Sequence, residues 1–162
     1  MTLRAGSGPA VCIGDDIDTD LVIAGRYLRT KNRQLWAEHA FEDLDPGIAS
    51  RLPGSVVVAG KNMGCGSSRE QAVMALREAG VRAVIAPSFA RIFFRNCINV
   101  GLPALECEGV TCHDGDIVTY DCSTGVIQVR NMTYHSRILS PRMQEILNAG
   151  GLVEYWKGRL PR

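Results

Sequence analysis

Aromatic residues, histidines and net charge are all scarce in this chain. Phe, Trp and Tyr together make up 6% of 162 residues, histidine occurs only at positions 39, 113 and 135, and 18 Lys plus Arg meet 17 Asp plus Glu. A formal charge of +1 gives no electrostatic footprint for nucleic acid or an anionic membrane surface. So few aromatic rings also leave little platform for stacking single-stranded bases. No apolar targeting segment opens the sequence, where Arg4 is followed by Gly6, Gly8 and Pro9, so the expectation is a cytoplasmic protein with free thiols and no membrane partner.

Several motifs are missing as well. The six cysteines, at 12, 65, 97, 107, 112 and 122, contain no Cys-x-x-Cys, and Cys107 with Cys112 and His113 makes an incomplete ligand set. No metal or cofactor is therefore expected on this chain. Cys12, Cys97 and Cys122 lie among apolar residues and read as small buried thiols. There is no phosphate-loop lysine, no dinucleotide glycine pattern and no Gly-x-Ser-x-Gly elbow. Four aspartates crowd residues 15–20, but the glycine and terminal glutamate of a calcium loop are absent, leaving Asx turns and helix caps as their plain role.

What is present is a strand, glycine loop and helix in succession. Residues 55–59 form an apolar run, Gly60, Gly64 and Gly66 loosen the loop, and Ala72, Ala75, Leu76 and Ala79 recur at helical spacing until Gly80. Ser67, Ser68 and Arg69 stand at the start of that helix, expected over residues 68–79, where free amides and a guanidinium suit a carboxylate. The competing reading is a capping box, because Ser67 with Glu70 and Ser68 with Gln71 have the right spacing.

Residues 83–86 supply a second buried strand, which with the first and the intervening helix makes a parallel crossover. A helix over 89–100 is expected to be capped by Ser88 and stopped by Gly101. Arg91 and Arg95 share one face of it, where an ion pair, a snorkelling role or contact with a partner are all open. Before these elements come a flexible stretch over 1–9, a strand near 11–13 and a short helix over 35–41, then a connector over 46–53. After them come strands over 102–106, 116–121 and 126–130 and a helix opened by Pro141 and closed by Gly150-Gly151. Residues 152–156 pack back on the domain or extend along a partner. At 162 residues, with no internal repeat or linker, the whole of 1–162 reads as one domain.

Three segments in order carry a resemblance: Gly14-Asp15-Asp16-Ile17-Asp18-Thr19-Asp20, Asn62 to Gln71, and Phe89-Ala90-Arg91-Ile92-Phe93-Phe94-Arg95-Asn96. Together they resemble the small subunits of the aconitase superfamily that act on isopropylmalate. The resemblance implies an α/β fold, the swivelling β/β/α domain of the aconitase C-terminal type. It implies a partner too: a large subunit that carries a [4Fe-4S] cluster, in a heterodimer or heterotetramer, with a small di- or tricarboxylate as substrate.

Carried over residue by residue, Ser67 matches the family's catalytic serine, and Ser68 and Arg69 its substrate-binding neighbours. Asp18 and Thr19 border the cleft, and no role falls to Cys65. The implied reaction is loss of water from 2-isopropylmalate and its readdition to give 3-isopropylmalate, in leucine biosynthesis. In the stretch Tyr27-Leu28-Arg29-Thr30, Arg29 departs from the apolar residues expected opposite an isopropyl group. It resembles the homoaconitase version, where an arginine receives the extra carboxylate of homocitrate or homoisocitrate. A non-catalytic assembly domain that kept the fold is the third reading.

Overall fold

The computed structural model describes residues 5–161. Its elements follow in the order β1 (Ala5–Cys12), α1 (Thr19–Val22), α2 (Arg33–Glu38), β2 (Val56–Val58), α3 (Glu70–Glu78), β3 (Ala83–Ala86), α4 (Arg91–Asn99), β4 (Ala104–Glu106), β5 (Ile117–Asp121), β6 (Val126–Val129), β7 (Met132–His135), α5 (Pro141–Ala149) and α6 (Leu152–Lys157).

Strand order is β4-β3-β2-β1-β5-β6-β7. β1 through β4 run parallel, while β5, β6 and β7 form an antiparallel meander. The hinge between the two halves is β1 itself: Ala5 to Pro9 pair antiparallel with β5, and Ala10 to Cys12 pair parallel with β2. β2 and β3 are buried at every position, as expected of strands in a parallel sheet covered on both faces. β5 instead alternates buried and exposed residues, the pattern of a sheet with one wet face.

Several elements differ from the sequence expectation. Ala5–Pro9 lie in a strand, and of the stretch expected to be flexible only residues 1–4 lie outside the described residues. Small side chains are what this strand requires, because a Cβ on Gly8 would come within 2.1 Å of the Gly54 carbonyl oxygen. Ser88 does not cap α4: its hydroxyl accepts from Asn62 N–H at 2.8 Å, and α4 begins after Ala90 without a side-chain cap. β7 was not expected, and residues 152–157 form a helix whose Tyr155 is buried. The close of α5 is as expected, with Gly150 left-handed at φ 93° and Ser140 capping the start.

Candidate functional site

The three parallel strands β1, β2 and β3 end on one edge of the sheet, and each runs into a loop carrying chemistry. In open parallel sheets this carboxyl edge is where ligands bind. Residues 13–18 follow β1, residues 59–69 follow β2 and residues 87–90 follow β3. Isolated parallel bridges stitch the three together, Asp18 with Cys65 on one side and Met63 with Phe89 on the other. The Ser67 loop is thus the middle of three adjacent segments.

Glycine permits this closeness. Gly64 has φ 83°, and a Cβ there would stand 2.0 Å from Cγ of Phe93, whose ring covers it. Gly64 N–H donates to Ile17 O at 2.7 Å and Thr19 N–H donates to Cys65 O at 2.9 Å, fixing the loop against the aspartate-rich segment.

The hydroxyl of Ser67 does not cap α3. The helix starts one residue after Arg69, and no side chain caps it. Ser67 Oγ instead lies 3.0 Å from Thr19 Oγ1, which is also 3.2 Å from Ser67 O. Thr19 is 2% exposed, whereas Ser67 and Ser68 are exposed. The capping-box reading therefore fails, and Ser67 presents its hydroxyl at the rim with a buried hydroxyl behind it. Asp18 is the residue that caps, accepting from Leu21 N–H at 2.9 Å to start α1.

Arg69 reaches across to α1 and forms an ion pair with Asp20, with its guanidinium beside Gly25. Gly25 opens the 3₁₀ turn Gly25–Tyr27 that leads to Arg29, so Arg69 touches the root of the loop that carries it. That root is clamped: Tyr27 hydroxyl donates to Glu42, the Tyr27 ring stacks on His39 with centroids 4.1 Å apart, and Trp36 Nε1 donates to Tyr27 O at 3.0 Å. The Tyr27 hydroxyl, with His39 and Arg26 beside it, holds the Glu42 carboxyl below the usual carboxylate range. Arg29 is exposed, and no hydrogen bond or ion pair engages it among the described residues. The 3₁₀ turn and its clamp on Glu42 were not foreseen, since the contacts span 15 residues and have no local pattern.

Arg91 and Arg95 are not brought to Ser67. Both are exposed on α4 and line a separate groove of about 440 Å³ with Phe94, Glu106, Arg137 and Met143. Cys65 sits half-buried beside Ser67, and burial, then Asp18 and Asp16, push its thiol up, opposite to the shift that activates a cysteine. Among the described residues no three His, Cys, Asp or Glu side chains stand together as a group that could hold a metal ion. No helix among them is long and apolar enough to cross a membrane.

This geometry has close parallels. Residues 15–109 match the aconitase C-terminal domain. The 3-isopropylmalate dehydratase small subunit of Halothermothrix orenii is 49% identical over 93% of this chain and 94% of its own length. The methanogen homoaconitase small subunit of Methanothermobacter thermautotrophicus is also 49% identical, over 88% of this chain and 85% of its own. A crystal structure of 3-isopropylmalate dehydratase from Methanocaldococcus jannaschii superposes with a TM-score of 0.91 at 46% identity, covering 96% of this chain and 95% of that one. With the α/β swivelling architecture, the three bridged loops and these likenesses in agreement, the chain belongs to the 3-isopropylmalate dehydratase small-subunit family of the aconitase superfamily, close to the homoaconitase small subunits.

Proposed function

We propose that this chain is the small subunit of a hydro-lyase that interconverts 2-isopropylmalate and 3-isopropylmalate by removing and readding water, in leucine biosynthesis. Turnover requires a large subunit, to which the iron-sulfur cluster is assigned. The observation that carries the reading is the placement of Ser67 and Arg69 together at the carboxyl edge of the parallel strands, one backed by Thr19 and the other steered by Asp20.

Ser67 is the group we assign to the α-proton. A serine alkoxide is unstable in water, so a base of this kind needs a donor already in position and a site closed to solvent. Thr19 supplies the donor. Thr19 Oγ1 stands within reach of both Ser67 O at 3.2 Å and Ser67 Oγ at 3.0 Å. Its single hydrogen can therefore rest on the carbonyl while Ser67 is neutral and turn to Oγ once Ser67 has released its own proton to water before the site closes. Closure against the large subunit excludes water from the exposed rim. Arg69 and Ser68 bind a substrate carboxylate, and the guanidinium gains most as proton removal builds charge on that carboxylate.

Absorbance of the unsaturated intermediate in an anaerobically reconstituted complex tests the reading. Each subunit alone is expected to be inactive and the mixture active, with Ser67→Ala assembling normally but losing turnover by several orders of magnitude. Near-normal kcat in the Ser67→Ala complex removes the serine assignment, and no turnover of any di- or tricarboxylate by the wild-type mixture leaves the assembly-domain reading in its place.

A specific observation favours a second substrate. Arg29, at the exposed end of the loop rooted beside Arg69, has a guanidinium that nothing in the described chain engages, which suits the added carboxylate of a homocitrate-type substrate.

A further inference from the structure

Away from the Ser67 cleft, two thiols stand in contact. Cys12 Sγ and Cys112 Sγ are 3.3 Å apart across a sequence separation of 100, and the Cys12 thiol also lies 3.6 Å from the Cys112 carbonyl oxygen. Both residues are half-buried and neither is in a disulfide.

Backbone hydrogen bonds build the approach. Ala10 N–H donates to Asp116 O at 2.7 Å, Gly115 N–H donates to Ala10 O at 2.9 Å, and Cys12 N–H donates to the Asp114 carboxylate at 2.7 Å. These bonds lay the loop before β5 along the end of β1 and set the two sulfurs facing each other. A disulfide bond is about 2.05 Å long, so the two sulfurs need only draw together from 3.3 Å for the pair to close.

The geometry points to an oxidative modification site in which Cys12 and Cys112 form an internal disulfide by exchange with a low-molecular-weight disulfide. Cys112, flanked by exposed Thr111 and His113, is the entering thiol. Having given up its proton, its sulfur attacks one sulfur of the small disulfide; that S–S bond breaks, and the departing thiolate takes up a proton. Cys12 then loses its proton, its sulfur attacks Cys112 Sγ, and the second small thiolate leaves and is protonated. Two protein thiols are oxidised to one disulfide, one small disulfide is reduced to two thiols, and the two protons released equal the two taken up.

The surroundings set the pace of this exchange. Burial first, then the contact with Cys112, pushes the Cys12 thiol up to about 12, and burial also raises Cys112. With little thiolate at neutral pH, closure is slow. For Cys112 burial outweighs the Cys12 hydrogen bond and the nearby Arg130, both of which favour its thiolate, so the reduced pair is not strongly held against closure. The result is a staple at the root of the segment that carries Thr19 to Ser67.

The test is incubation of the full-length chain with oxidised glutathione, followed by intact mass measurement and peptide mapping. The expected product has lost about 2 Da, two hydrogens, with the Cys12 and Cys112 peptides joined and no glutathione retained. Its unfolding midpoint rises by roughly 5–10 °C over the reduced chain, a shift absent from the Cys12→Ser/Cys112→Ser double variant. Cys12→Ser alone keeps a glutathione adduct on Cys112. A wild-type chain that stays reduced, carries only glutathione adducts or joins other cysteines overturns the proposal, and the wild-type mapping decides this whether or not the variants fold.

Discussion

Ser67 Oγ stands 3.0 Å from the hydroxyl of Thr19, a residue 48 positions earlier and almost wholly buried. Thr19→Val keeps the shape and removes the hydrogen bond. If Thr19 donates to Ser67 as the proton leaves, kcat in the assembled complex falls about tenfold or more, with KM little changed, because the bond strengthens only as charge develops. Thr19→Ser recovers most of the loss. Thr19→Val with a lower unfolding midpoint and an unaltered kcat assigns the residue to packing alone.

Asp20 carries a second prediction. Its carboxylate pairs with Arg69 but is itself 63% exposed, so the pair is worth at most about 1 kcal/mol and works by aiming the guanidinium. Asp20→Asn is expected to raise KM two- to fivefold with a smaller effect on kcat. Arg69→Lys, which keeps the charge but loses the fork, costs more in kcat/KM than Asp20→Asn does. The reverse order in steady-state kinetics would mean that Asp20, not Arg69, meets the substrate.

Local pattern was enough for some of this molecule and not for the rest. The buried runs of β2 and β3, the glycine that ends α5 and the order of the three motif segments could be read because each depends on neighbours in sequence. Ser67 and Glu70 have capping-box spacing, yet the Ser67 hydroxyl is turned toward Thr19, a partner that no window around Ser67 contains. Residues 5–9 of β1 read as part of a flexible leader because their glycines and proline are poor strand formers; the close approach of Gly54 at Gly8 and of the Tyr120 hydroxyl at Gly6 explains the glycines there. β7 escaped notice because its hairpin turns through Arg130 at φ 54° in place of the usual glycine or asparagine, and its residues are mostly exposed.

Acid is expected to loosen the Gly25–Tyr27 turn. Glu42 is held below the ordinary carboxylate range by the Tyr27 hydroxyl first, and by His39 and Arg26, while Asp43 is lowered by Arg26. A carboxyl whose pKa is depressed by folding stabilises the fold fully above its unfolded value, near 4.5 for Glu42, and that contribution is lost as pH falls through the lower folded value. The wild-type unfolding midpoint therefore drops more steeply below about pH 4 than that of Glu42→Gln, which has already lost the charge. Parallel curves across that range would show that Glu42 does not hold the turn.

Arg29 sits just past this clamp, and substrate choice is the prediction that rests on it. The turn is fixed by Tyr27 and abuts Arg69 at Gly25, so Arg29 extends from a rigid root near the guanidinium assigned to the common carboxylate. In the closed complex a guanidinium opposite an isopropyl group is desolvated without a partner, whereas the extra carboxylate of homoisocitrate satisfies it. Wild-type enzyme is thus expected to turn over both substrates, with Arg29 favouring the tricarboxylate. Arg29→Leu removes a bidentate partner on one side and a buried charge on the other. It is expected to lower kcat/KM for homoisocitrate by about a hundredfold, the scale set by losing a charged hydrogen bond, while that for 3-isopropylmalate holds or rises. Equal changes for both substrates would place Arg29 in solvent in the complex as it is in the free chain, and would return specificity to the large subunit.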